Sequence, residues 1–151
     1  MSATTEPSQE LLSKTRQQAH RHCVVCSPQV PHGLGVQFET TEDGGVEGTF
    51  FCQNRFSGYS GLLHGGVISA LLDGAMTNCL FAHGTVAVTA ELTVRFRHPI
   101  TLDAPVTVSA KIVRSCHPLH VLEGRIVQAG QLKAKGTGKF MTSPDTSTPD
   151  I

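Results

Sequence analysis

Residues 65–84 read GGVISALLDGAMTNCLFAHG, and the predicted fold follows from this segment. Its apolar side chains recur on most faces of a helix rather than along one stripe, which predicts a buried helix from Gly65 to His83. Gly84, directly after it, is typical of a helix C-terminus. A helix that is apolar on most faces must be enclosed by other elements, so we expect the rest of the chain to wrap around it.

Strand patterns flank this helix on both sides. A first strand is expected to begin near Val36, and the tight turn Asp43-Gly44-Gly45 leads into a returning strand over 46–52. After the helix, apolar and polar residues alternate over 86–97, which predicts the longest strand, with Thr89 on its polar face. Three further strands follow with short turns between them, over 106–114, 120–129 and 131–142.

These elements together define the predicted fold class. Short links imply antiparallel pairing, so we expect an α+β fold in which a long curved antiparallel sheet surrounds one central hydrophobic helix. Ser8 is a candidate N-cap for a short helix ahead of the sheet. The predicted organisation is an N-terminal tail with this short helix (1–22), a main domain (23–142) and a flexible C-terminal tail (143–151).

Composition limits the functional classes. Twelve basic and twelve acidic residues give a formal net charge of zero, so nucleic acid and anionic membranes are poor partners and a small substrate is expected. No segment is expected to span a membrane, and the polar N-terminus lacks a signal pattern. Five cysteines argue against a secreted disulfide framework, which favours a cytoplasmic protein, and no cofactor is predicted.

The segment His64-Gly65-Gly66 stands where a loop becomes the helix. Backbone N–H groups of the first helical turn, together with the helix dipole, favour negative charge at that point. Two glycines also let a ligand carbonyl approach the backbone closely, so this helix start is a candidate oxyanion site. The alternative is that the two glycines only make a flexible helix start.

Asp73 is the second candidate. It lies seven residues after Gly66, about two turns along roughly the same helix face. An ionised carboxylate among apolar side chains costs several kcal/mol unless it is partnered or used, which favours a general base or a nucleophile. The alternative is an aspartate that faces a wet seam or bonds a neighbouring strand.

Two runs carry a family resemblance, GLLHGGVISALLDGAMTNCL (61–80) and VTAELTVRFRHPI (88–100). They resemble the hotdog-fold acyl-CoA thioesterases related to the phenylacetate-pathway enzyme. The earlier segments CVVC (23–26) and PHGLG (31–35) are similar to a subgroup of them, so the resemblance covers about residues 23–141. It implies a hotdog fold and hydrolysis of an acyl-CoA to a free acid and coenzyme A.

The resemblance also implies a role for each candidate. Gly65 or Gly66 would supply the oxyanion N–H, and His64 would orient the loop or the substrate carbonyl. Asp73 would activate water or attack the thioester, acting across a dimer interface on a substrate that the partner chain holds. Thr89 stands sixteen residues beyond Asp73, where some members carry a hydroxyl that positions the water; its alternative role is that of a good strand former.

The candidate substrate-binding residues are Gly58, Asn54 and a set of basic side chains. Several relatives carry an asparagine or glutamine six residues before the histidine, whereas this chain has Gly58 there and its nearest upstream amide at Asn54. Six basic residues are candidate ligands for the coenzyme A phosphates, although those of the last strand also fit a solvent face or a protected sheet edge. They are Arg95, Arg97, Arg114, Lys133, Lys135 and Lys139.

The pair Cys23-x-x-Cys26 has several histidines nearby, namely His20, His22 and His32. These residues could form half of a zinc site or a redox pair. Because the sequence has no second pair of this kind, we predict free thiols and no metal. Packing is the predicted role of the remaining cysteines, Cys52, Cys79 and Cys116.

Two other functions are also compatible with a hotdog fold. A hotdog dehydratase or hydratase would pair a histidine with an acid on the helix, but here His64 precedes the helix and Asp73 lies inside it, as in the thioesterases. A hotdog protein that only binds acyl-CoA would not need Asp73. For the thioesterase, a helix without a polar face and a shared site predict a homodimer built by edge pairing of two sheets, or a tetramer made as a dimer of dimers.

Overall fold

A computed structural model describes residues 6–142 of the chain, so the predicted tail at 143–151 lies outside the described residues. It contains two α-helices, one 3-10 turn and six strands. In chain order they are α1 (Gln9–Ala19), β1 (Glu39–Thr40), β2 (Val46–Phe51), the 3-10 turn (Asn54–Phe56), α2 (Gly65–Ala82), β3 (Val88–Phe96), β4 (Pro105–Cys116), β5 (Leu119–Gln128) and β6 (Gln131–Met141).

The six strands form one antiparallel sheet in the order β1-β2-β4-β5-β6-β3, and α2 packs against one face of it. Leu71, Leu72 and Met76 of the helix are completely buried. Glycines on the facing strands let the helix approach closely, since an added Cβ at Gly136 would lie 3.3 Å from the Leu72 Cδ1. The predicted hotdog arrangement, a sheet around one hydrophobic helix, is confirmed.

The N-terminal helix α1 belongs to the same core. The Ser8 side chain accepts a hydrogen bond from the Leu11 N–H at 3.1 Å, which confirms the predicted cap. Leu12 is only 2 % exposed, and the Ser8 N–H donates to the Ala82 carbonyl at the end of α2. The domain bounds at 22/23 and 142/143 stay a prediction.

Two strand predictions were wrong. The first strand does not begin at Val36, because the Val36 N–H donates to the Val25 carbonyl at 2.8 Å instead of to a neighbouring strand. β3, with nine residues, is not the longest strand; β4 has twelve. β4 lies between two strands, whereas β3 lies at the edge of the sheet and pairs only with β6.

A β-bulge in β3 changes which side chains face the helix. Thr89 pairs with Phe140 and Glu91 pairs with Lys139, which leaves Ala90 as an extra residue. Because Phe140 is completely buried on the helix side of β6, its partner Thr89 also faces α2. The sequence predicted Thr89 on the polar face of the strand, together with Glu91. This prediction was wrong, because the bulge shifts the pairing by one residue between Thr89 and Glu91.

The outer edge of β3 has no strand partner among residues 6–142. Val88 and Phe96 on this strand are 50 % and 54 % exposed.

Contrary to the expectation from the sequence, α2 is long and apolar enough to cross a membrane by length and composition alone. The helix is 67 % buried inside the fold, and core helices that are mostly buried can have the same length and apolar composition.

Candidate active site

Asp73 of α2 and Thr89 of β3 form a hydrogen-bonded pair. The Thr89 hydroxyl donates to the Asp73 Oδ1 at 2.6 Å. Asp73 is partly exposed rather than buried. The free-energy cost of removing its charge from water is therefore smaller than the apolar sequence around it suggested. Its other oxygen, Oδ2, has no hydrogen-bond partner in the described chain, which leaves it open to a water molecule or a substrate.

The start of α2 is capped by His64. Its Nδ1 accepts a hydrogen bond from the Gly66 N–H at 2.8 Å, so the neutral ring carries its proton on Nε2. This bond occupies the Gly66 N–H, so of the two predicted oxyanion donors, Gly65 and Gly66, it favours Gly65. A Cβ at Gly66 would lie 3.0 Å from that Nδ1, a tight contact, so glycine gives the ring room to cap the helix without shifting.

Gly65 is the remaining candidate donor. Its N–H makes no hydrogen bond to any residue between 6 and 142, and it belongs to the first residue of α2. A Cβ at Gly65 would meet only the ring of Phe96, at 3.6 Å, which is ordinary contact. An accessible amide at a helix N-terminus is suited to an oxyanion.

A shallow pocket of about 530 Å³ opens in front of this helix start. It is lined by Ser57, Gly58, Tyr59, Leu63, His64 and Gly65. A Cβ at Gly58 would lie 3.2 Å from the His64 Cα, so the glycine lets the loop fit against the capping residue. Asn54 lies exposed in the 3-10 turn and does not line the pocket.

Sequence reasoning missed four residues around this pocket. Ser57, Tyr59 and Leu63 line it, and Phe96 lies beside Gly65 at the end of β3. No local pattern distinguished Ser57 or Tyr59 from the rest of the loop. Phe96 could have been found, because its position in β3 places it on the same face as Leu92 and Val94, which pack towards the core.

The predicted phosphate ligands lie elsewhere in this chain. Arg95 pairs in register with Lys135, whose ammonium group lies 3.1 Å from Glu123, and these side chains occupy the sheet face opposite α2. Arg114 lies on the same face of the sheet. It pairs with Val121, whose neighbours His120 and Leu122 are buried on the helix side, so Val121 and Arg114 point away from α2. The structure does not bring either arginine to the helix-start pocket. Arg97 follows β3 and is exposed, as are both flanking residues.

The distance between Asp73 and Gly65 has a chemical consequence. Eight residues of α-helix separate them, which corresponds to a rise of about 12 Å. A thioester needs its oxygen about 3 Å from the oxyanion donor and its carbon about 3 to 3.5 Å from the attacking atom. The Asp73 carboxylate of one chain therefore cannot directly attack a thioester whose oxygen is bound by the Gly65 N–H of the same chain.

The cysteine residues divide into two groups. His20, Cys23 and Cys26 form a cluster whose possible ligand atoms lie within 4.8 Å of one another, and a hydrogen bond from Cys26 lowers the pKa of the Cys23 thiol. His22 and His32 are exposed and do not belong to this cluster. The prediction that Cys23 and Cys26 are free thiols stays untested by these contacts.

Burial raises the pKa of the Cys79 thiol to about 12 and that of the Cys52 thiol to about 11. Both residues are completely buried, which agrees with the packing role predicted for them. Cys116 is exposed at the end of β4, so the packing role predicted for it was wrong.

Comparison with known proteins identifies the class. The sequence profile of the thioesterase superfamily matches residues 60–135, about half of the chain, which includes α2 and most of the strands after it. The fold is the hotdog fold of thioesterases, and the chain belongs to the thioesterase superfamily. Comparison with curated protein sequences found no match.

Solved structures agree on the fold. A crystal structure of a thioesterase superfamily protein is 30 % identical with a TM-score of 0.76 and covers 80 % of this chain and 63 % of its own, so the present chain spans less than two thirds of that relative. A hypothetical thioesterase from Streptococcus pneumoniae, solved with coenzyme A, is 23 % identical with a TM-score of 0.67, over 72 % of this chain and 88 % of its own. The Escherichia coli PaaI protein from the phenylacetic acid degradation operon is 22 % identical, also with a TM-score of 0.67, over 72 % and 83 %.

Proposed function

We propose that this chain hydrolyses an acyl-CoA thioester to a free acid and coenzyme A. Asp73 is the general base or the nucleophile, Thr89 orients its carboxylate, and the Gly65 N–H stabilises the oxyanion. The observation that carries the proposal is the 2.6 Å hydrogen bond from Thr89 to Asp73, made possible by a bulge in an exposed edge strand. Bulges are frequent next to active sites, where they redirect a side chain.

The proposed chemistry divides between the two groups. With Oδ1 fixed by Thr89, the free Oδ2 takes a proton from an attacking water, or attacks the thioester carbon itself. The developing negative charge on the carbonyl oxygen is stabilised by an N–H at the positive end of the helix dipole. Collapse of the tetrahedral intermediate expels coenzyme A as its thiolate. After attack by water the free acid is formed in this step, whereas direct attack leaves an acyl anhydride on Asp73, which a water molecule then hydrolyses to the free acid.

Neighbouring structures support this assignment. The pneumococcal thioesterase was solved with coenzyme A, and a fold neighbour from Streptococcus mutans was solved bound to acetyl-CoA. Two further structures of the pneumococcal protein carry an aspartate-to-alanine and a threonine-to-alanine substitution, at positions sixteen residues apart. Asp73 and Thr89 have the same separation.

The site is completed by a second copy of the chain. Asp73 and Gly65 of one helix are about 12 Å apart, which favours an arrangement in which the Asp73 of one protomer acts on a thioester whose carbonyl is held by the Gly65 of its partner. The unpaired edge of β3 offers the surface for this association, since it carries the exposed Val88 and Phe96. Phe96 lies beside Gly65, so an interface along this strand would adjoin the oxyanion donor.

The activity is tested with a panel of acyl-CoA esters of different chain length and aromatic content, using a reagent that detects the released thiol. We expect hydrolysis of at least one ester above the rate of the uncatalysed control. If every ester were bound but none hydrolysed, the protein would be an acyl-CoA-binding protein and the proposal would be wrong. A dehydratase or hydratase would release no thiol. An enoyl-CoA is therefore added to the panel, and its hydration, followed by product analysis, would identify that outcome.

A further inference from the structure

The turn after α1 brings three metal-binding side chains together. The possible ligand atoms of His20, Cys23 and Cys26 all lie within 4.8 Å of one another, and the Cys26 Sγ lies 3.7 Å from the His20 Nδ1. In a tetrahedral zinc site, with Zn–S near 2.3 Å and Zn–N near 2.0 Å, a sulfur and a nitrogen ligand are about 3.6 Å apart. The observed separation therefore matches one edge of a zinc tetrahedron.

The backbone of this turn is shaped to hold a thiolate. The Val25 N–H donates to the Cys23 Sγ at 3.3 Å. Two backbone hydrogen bonds fix the turn itself, from the Cys23 N–H to the His20 carbonyl and from the Ser27 N–H to the Cys23 carbonyl. Amide donors stabilise a sulfur that carries negative charge, and the thiolate is the form of cysteine that binds metal.

A buried amide on α2 faces the same cluster. Asn78 is 0 % exposed and lies one helical turn after Gly74, the residue against which Val25 of the turn packs, and its Nδ2 donates to the Gly74 carbonyl at 2.8 Å. Its Oδ1 is the one buried side-chain oxygen or nitrogen without a hydrogen-bond partner in the described part of the chain. A donor such as a metal-bound water, at the fourth position of a zinc ion, would satisfy this oxygen.

The surroundings hold the three side chains in place. The His20 ring packs edge-on against Phe81 of α2, with the ring centroids 4.9 Å apart. A Cβ at Gly74 would overlap the Val25 side chain, so the turn lies directly on the helix. Cys26 is completely buried whereas His20 and Cys23 are partly exposed, which leaves an approach for a metal ion from solvent.

We propose that His20, Cys23 and Cys26 bind one zinc ion per chain, with water as the fourth ligand, in place of the free thiols expected from the sequence. Two thiolates and an imidazole in tetrahedral arrangement favour zinc over harder cations, which prefer oxygen ligands. The ion joins the C-terminal end of α1 and the following turn to α2, so its role is to stabilise the fold. This inference does not depend on the proposed thioesterase activity.

The test uses the full chain, freed of metal with a chelator and then titrated with Zn²⁺ in competition with a chromogenic indicator. We expect one zinc per chain with a dissociation constant of about 1 µM or tighter, and a thermal midpoint that rises on binding. Replacement of zinc by Co²⁺ should give the thiolate-to-cobalt charge-transfer absorption of a tetrahedral site. A wild-type chain that takes up no zinc, or that forms a Cys23–Cys26 disulfide instead, would overturn the proposal.

Ligand variants locate the site. Cys23→Ser and His20→Gln each remove one ligand at a partly exposed position, and each should weaken zinc binding by at least about 100-fold while the circular dichroism of the metal-free protein is unchanged. Cys116→Ser is the matched control, because this cysteine is exposed on β4 and outside the cluster. It should bind zinc as the wild type does. Unchanged affinity in both ligand variants would place the metal elsewhere and contradict the proposal.

Discussion

Asp73 and Thr89 show what single residues contribute to the proposed site. The Thr89 hydroxyl fixes one oxygen of the carboxylate, and the other oxygen stays open beside an exposed strand. Asp73 was predictable from the sequence because an acidic residue in the middle of an apolar helix needs a reason to be there. The side of the strand on which Thr89 lies was not predictable, because the bulge at Ala90 depends on pairing with β6 and no local pattern encodes it.

The Thr89 hydroxyl is tested by a pair of substitutions. Thr89→Val keeps the branched shape that suits the strand but removes the hydroxyl, whereas Thr89→Ser keeps the hydroxyl. A hydrogen bond to a charged group contributes about 1.5 to 3 kcal/mol, so Thr89→Val should lower kcat by about tenfold or more. Thr89→Ser should stay within about threefold of the parent rate. Full activity in Thr89→Val together with a loss in Thr89→Ser would show that packing of the methyl group, and not the hydroxyl, is what matters.

The start of α2 is the feature that decides the site at the scale of a secondary-structure element. The sequence predicted its position and its chemistry, because His-Gly-Gly before an apolar run predicts a helix N-terminus with accessible amides. It could not separate Gly65 from Gly66, since that depends on where the His64 ring lies. The ring accepts the Gly66 N–H as a helix cap, and only Gly65 keeps an accessible donor.

Proline at position 65 tests this donor. Proline lacks the N–H but suits the first position of a helix, and the preceding His64 already has the extended backbone that proline requires, with φ −63° and ψ 134°. Gly65→Pro should therefore fold and lower kcat by about 100-fold or more, the effect of removing one oxyanion donor. Gly65→Ala, which keeps the N–H, is the control and should retain most of the activity. Full activity of the proline variant, measured by thiol release, would exclude this amide.

At the level of the whole molecule, both groups of the proposed site lie on one helix, and the long edge strand β3 has no partner on its outer side among residues 6–142. A homodimer was expected from the sequence because α2 lacks a polar face and the resemblance implied a shared site. In the structure, contacts within the chain bury most of the C-terminal half of α2, whereas its first residues and β3 stay partly exposed. The proposed dimer is therefore supported by the separation of Asp73 and Gly65 and by the exposed edge of β3, which no local sequence pattern reveals.

Mixed dimers test the shared site. If each site combines Asp73 of one protomer with Gly65 of the other, an Asp73→Asn chain paired with a Gly65→Pro chain keeps one intact site of two and should recover about half of the wild-type activity. The two variants can be coexpressed with different affinity tags, and the heterodimer isolated by sequential purification. A pure heterodimer as inactive as its parents, or a fully active monomer in light scattering, would show that the site is not shared in this way.

The proposed role of the Asp73 carboxylate in thioester cleavage is tested by the kcat of Asp73→Asn on the acyl-CoA of the panel that the wild type hydrolyses fastest. The amide has nearly the same size but cannot act as a base or a nucleophile, so kcat should fall by about 100-fold or more with KM little changed. Asp103→Asn is the matched control, since Asp103 is exposed in a loop with φ 60°, a conformation that asparagine accepts. It should leave kcat unchanged. An Asp73→Asn protein that stays folded and hydrolyses the ester at the parent rate would contradict the claim.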